Sequence, residues 1–183
     1  MKDCWQANPF AALLVVSMAV AAIVAYHSWK RRRLSIAAPS FSALLAVIAV
    51  WSMGYALELS GTCERYMFLG VKIAYVGVVS APVLLLVFVQ RYATPDRPIP
   101  NRTVAGFLVI PLLMLALNWT SGSHELFYAD FTVDSSGPYA VLHTRPAAFY
   151  WMNVAYSYAF LLAGTIVLFF KITRAARPFR YVL

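Results

Sequence analysis

Five long apolar stretches divide this chain of 183 residues, and its Lys and Arg residues crowd into alternate gaps between them. One set of gaps holds Lys30, Arg31, Arg32 and Arg33, then Arg91, Arg97 and Arg102, then Lys171, Arg174, Arg177 and Arg180, eleven of the fifteen Lys and Arg residues. The other set holds only Lys2, Arg65 and Arg145, and Lys72 lies inside an apolar stretch. Basic residues stay on the cytoplasmic side of a bilayer, so the pattern predicts a multi-pass protein of the cell membrane. Its N-terminus should be outside and its C-terminus inside. The basic cluster follows the first apolar run, which marks an uncleaved anchor and not a signal peptide.

The chain is 62% hydrophobic and 12% charged, an apolar surface that a soluble domain of this length could not hide. Its net charge of +8 reads as the inward bias and contact with anionic lipid, so no nucleic-acid partner is expected. Spanning helices take roughly 20 residues each, which leaves no room for a soluble catalytic domain. The expected fold is all-α: one membrane domain over residues 1–183, a polytopic bundle of five helices at about 9–29, 34–59, 64–91, 102–118 and 147–170. The odd number of spans and the abrupt end at Tyr181-Val182-Leu183 lead to the expectation of a truncated seven-helix bundle. Pro82 and Pro111 should kink the third and fourth helices. The segment 119–146 has two runs of strand character separated by Ser135-Ser136-Gly137-Pro138, and predicts a small extracytoplasmic β-hairpin over the helix ends. Both cysteines, Cys4 and Cys63, fall on the outer, oxidising side, where a disulfide between them or two unrelated apolar side chains are the alternatives.

Catalytic signatures fail on inspection. His124-Glu125 starts like a zinc-protease helix, but the position of the second His holds Tyr128. No nucleophile elbow or Gly-rich phosphate loop occurs, so neither enzyme activity nor a cofactor is expected. His124 and His143, with Asp130 and Asp134, are better read as solvated loop residues than as a metal site. Two intramembrane charges carry more information. Glu58 lies near the outer end of the second helix and Lys72 about two turns into the third, both in the outer half of the bilayer. Trp51, Tyr55 and Glu58 share one helical face, and Phe68, Lys72 and Tyr75 share another. Tyr150, Asn153 and Ser157, beside Trp151, do the same on the fifth helix. These faces predict a ligand pocket beneath the hairpin, with Glu58 and Lys72 paired and Trp51, Tyr55, Phe68, Tyr75, Trp151 and Asn153 around them. The plainer reading is an interfacial aromatic belt with one pinning ion pair. Gly70, Ala74, Gly77 and Ala81 form a small-residue stripe suited to close helix packing.

Several pieces together resemble a known family: Trp51-Ser52-Met53-Gly54-Tyr55-Ala56-Leu57-Glu58, Lys72-Ile73-Ala74-Tyr75-Val76-Gly77, Pro82 with Phe88 and Tyr92, Asn118 with His124, and Phe149-Tyr150-Trp151 with Tyr156 and Tyr158. In order and spacing these are similar to the first five helices of the N-terminal seven-helix sensor region of histidine kinases. The resemblance implies a signal-transduction input module of a two-component system: a receptor for an unidentified small molecule that passes its state to a kinase or diguanylate cyclase downstream, in cis or in trans, with a homodimer as a further expectation. The last two helices and any output domain are missing from the match. The rival readings are a transporter or channel subunit and a structural membrane protein without a ligand.

Overall fold

The computed structural model describes residues 4–95 and 99–176, with the backbone alone for 174–176. Expectations resting on Lys2, Arg97, Pro98, the Arg174 side chain, Arg177, Arg180 and residues 181–183 lie outside the described residues.

Five helices and one hairpin follow in the order α1 (Pro9–Lys30), α2 (Ala38–Ser60), α3 (Glu64–Ala93), α4 (Asn101–Trp119), β1 (Tyr128–Asp134), β2 (Val141–Pro146) and α5 (Ala148–Ala176). All five helices are long and apolar enough to cross a membrane. The Asn8 side chain caps α1 by accepting a hydrogen bond from the Phe10 amide at 2.9 Å, and Pro9 occupies a first-turn position where its missing N–H costs nothing. The second helix starts at Ala38, four residues later than the apolar pattern predicts. Pro39 is the reason: it lacks the amide that an earlier start would require and belongs in a first turn. The chain before it turns instead, with the Ala37 amide donating to Ser35 Oγ at 3.3 Å. The fifth helix runs on to Ala176 and not 170, because Lys and Arg are good helix formers and the end of an apolar run is not the end of a helix. Helices α3 and α4 both run through their internal prolines, Pro82 and Pro111.

The central helix is α3, which packs against α2 on one side and against α4 and α5 on the other. The predicted small-residue stripe forms the first of these seams. A Cβ on Gly70 would come within 2.5 Å of the Glu58 amide, one on Gly77 within 2.5 Å of the Val47 carbonyl, and one on Gly54 would overlap the Ala74 backbone. Backbone therefore meets backbone along this seam, and only glycine fits.

The two strands pair antiparallel, with Phe131 opposite Thr144 and Val133 opposite Leu142, and the register slips between Tyr128 and Asp130. The segment before α1 fastens this hairpin to the α2–α3 turn. Cys4 and Cys63 form the disulfide, Cα atoms 5.1 Å apart. Trp5 bridges to Gly61, and Gln6 Nε2 donates to the carbonyls of Leu59 at 2.9 Å and Ala140 at 3.1 Å. Gln6 Oε1 accepts from the Ala140 amide at 2.9 Å, so one side chain ties a helix end to the hairpin. At the tip, hydrogen bonds from Ser136 hold the Asp134 carboxyl below its usual range, and exposed His143 stands 3.9 Å from it.

Candidate functional site

The hairpin inserts aromatic side chains between the helices. Phe127 is 0% exposed, and Tyr75 of α3 meets it edge to face at 5.2 Å between ring centroids. Tyr128 stands 6.2 Å from Tyr75 and 5.9 Å from Tyr150 of α5. Phe131 packs on Phe68 at 4.2 Å. Met67, Val71, Val79, Met114 and Leu142 complete this core. Burial pushes the Tyr128 phenol far up, and its hydroxyl interacts with that of Tyr75. Glu58, half-buried at the hairpin end of α2, acts electrostatically on both tyrosines.

Beside these rings lies a layer of polar groups without partners. Asn118 at the end of α4 is 0% exposed, and neither its amide oxygen nor its amide nitrogen has a hydrogen-bond partner. Asn153 of α5 is 2% exposed with its Oδ1 unpartnered, and Ser157 Oγ, one turn on, is unpartnered too. These are four of the five such buried atoms among the described residues. Their depth follows from helix geometry. Helices α3 and α5 run in the same direction from the hairpin and touch where a Cβ on Gly164 would meet Leu86 Cα at 3.7 Å. Counting back eleven residues from that contact reaches Tyr75 on one helix and Asn153 on the other. The two share a level about 16 Å away, towards the hairpin. Asn118 follows Met114 of the aromatic core by one turn. Its neighbour Trp119 donates from Nε1 to the Lys72 carbonyl at 3.1 Å, which fixes the end of α4 beside α3 just above Tyr75. An unpartnered buried amide costs about 1–3 kcal/mol, so this layer carries a cost that its own hydrogen bonds do not offset.

The structure brings together Glu58, Phe68, Tyr75 and Asn153 around this core, and leaves other candidates out. Trp51, Tyr55 and Trp151 are 41%, 43% and 60% exposed and face away from it. The expected ion pair is not made: among the described residues neither Glu58 nor Lys72 has an opposite charge within 4.0 Å. The cause is angular. Glu58 packs on Gly70, and two further residues turn Lys72 by about 200° to the far side of α3. Lys72 instead places its ammonium over the Phe68 ring, 4.5 Å from the centroid. Asn118, Phe127 and Tyr128 are the candidate site residues that periodicity missed. The signal available for the last two is the run Leu126-Phe127-Tyr128, out of place in a polar loop. Among the described residues no three His, Cys, Asp or Glu side chains stand close enough to share a metal. His124 Nε2 is within 2.8 Å of Thr120 Oγ1 instead.

Fold and site together define a multi-pass helical membrane domain with an aromatic hairpin cap. The chain belongs to the family described as the N-terminal 7TM region of histidine kinase, which matches residues 13–182. No curated protein and no solved structure matches the chain.

Proposed function

We propose that this domain is the sensory input region of a histidine kinase or related signalling protein, and that it binds a small amphipathic molecule in the polar layer beneath the hairpin. The family supports a membrane sensory role. The observation that carries the ligand reading is the set of unpartnered groups on Asn118, Asn153 and Ser157 beside Tyr75 and Tyr128. A ligand with a hydrogen-bond donor would meet Asn153 Oδ1, its polar part would meet the Asn118 amide, and the rings would hold its apolar part. The hairpin faces outside, as the basic residues of the opposite gaps and the disulfide support. Binding would shift α4 and α5 against the glycine-fixed pair α2–α3, and α5 would carry that movement to a kinase module on the other side.

Thermal melting in nanodiscs against a panel of small amides, amines and alcohols tests this. We expect at least one compound to stabilise the native chain and to lose its effect on Asn153→Leu. A panel whose every stabilising compound acts equally on Asn153→Leu would overturn the site.

A further inference from the structure

The first two turns of α3 carry a second feature. Arg65, Phe68, Leu69 and Lys72 follow at i, i+3, i+4 and i+7 and form one stripe. With Tyr66 they line an open groove of about 440 Å³. Lys72 curls back over Phe68, which carries its charge towards the hairpin end and towards Arg65. Among the described residues no carboxylate lies within 4.0 Å of either cation. Glu64, next along the chain, is exposed, and Glu58 lies on the opposite side of α3. Trp119, a residue suited to the headgroup level, is anchored at the same height.

We propose that this groove binds the phosphate of an anionic glycerophospholipid between Arg65 and Lys72. Two uncompensated cations on a spanning helix call for an anion, and a guanidinium with an ammonium suits a phosphodiester. The groove's other lining favours a lipid over free phosphate. Tyr66 and Leu69 are exposed and Phe68 is half-buried, an apolar and aromatic wall that serves an acyl chain and has no use for an inorganic anion. The groove shares Phe68 with the hairpin core, but Arg65 and Lys72, which carry the proposal, belong to neither that core nor the polar layer.

The test uses the full chain in detergent, with native mass spectrometry counting bound phosphatidylglycerol and phosphatidylcholine. A basic residue near an anionic lipid is worth about fivefold in affinity. The native chain should therefore prefer phosphatidylglycerol by about 25-fold, Arg65→Gln or Lys72→Gln should cut this about fivefold, and the double variant should abolish it. Lys72→Arg should keep the preference, as should Arg31→Gln with Arg32→Gln at the far end of the bundle. Melting of each variant in phosphatidylcholine alone checks that it is folded, and if the double variant is not, the comparison of Lys72→Gln with Lys72→Arg decides. No preference in the native chain, an equal preference in Lys72→Gln, or displacement of the bound lipid by millimolar inorganic phosphate would each overturn the proposal.

Discussion

Where α3 meets α2, glycines let backbone lie on backbone, and a side chain at Gly54, Gly70 or Gly77 has nowhere to go. Where α3 meets the hairpin, α4 and α5, large rings pack edge to face and a buried asparagine has no partner at all. The first flank is finished: its contacts are short, and among the described residues α2 carries no buried side-chain N or O atom without a partner. The second is held by aromatic contacts and contains polar groups still lacking hydrogen bonds. On the proposed reading, a helix shared by a close-packed flank and an unfinished one would be a fixed reference against which α4 and α5 move. The difference teaches that motion here should be confined to one side of α3.

The largest effect should come from the finished flank. Gly70→Leu drives a branched side chain into the Glu58 backbone, and no rotamer relieves a backbone clash. We expect loss of about 3 kcal/mol or more, read as loss of the folded, monodisperse domain in detergent. A folded Gly70→Leu with unchanged melting would show that the seam is as adaptable as the other flank.

Opening the disulfide should act next, and unevenly. Its two cysteines are 59 residues apart, and a bridge of that span is worth about 2–4 kcal/mol. Reduction, or Cys4→Ser with Cys63→Ser, should speed hydrogen exchange at Phe127–Asp134 and leave the amides of Gly54 and Ala74 unchanged. Equal loosening of both would erase the contrast.

The smallest and most diagnostic change is Asn118→Leu. If its amide truly lacks partners at rest, an apolar side chain of similar size should stabilise the domain by about 1–2 kcal/mol in chemical denaturation. A loss of that size would mean the amide is satisfied at rest, and that the second flank is as complete as the first.

Much of this fold was legible in the sequence, and the exceptions share a cause. Span number, hairpin and small-residue stripe follow from local chemistry, because lipid, turns and close packing each impose their own pattern on neighbouring residues. The α2 boundary was misread because apolar character outvoted Pro39. The candidate site was half legible. Tyr75, Asn153, Glu58 and Phe68 lie where their helical faces suggest, but the Glu58–Lys72 pair is expected from equal depth on consecutive antiparallel helices, without the angle about each helix. Depth is one coordinate, and the angle about the helix is the other. The stripe already held that angle: Gly70 marks the side of α3 that faces α2, and Lys72 lies opposite it. Phe127 and Tyr128 were hidden for a different reason. Two adjacent residues cannot both point inwards from a regular strand, but Phe127 lies in the bend before β1 and escapes its alternation, so both can be buried.

Gln6 binds Ala140, a partner 134 residues later in the chain. At translation rates of 5–20 residues per second, Gln6 is made roughly 7–27 s before the strand it will hold. Cys63 arrives in under half that interval, so the N-terminal segment can already be bolted to the α2–α3 turn when the hairpin emerges. Order of synthesis thus turns a tether into a docking guide: the receiving edge is waiting, and the last piece to arrive finds its place already set.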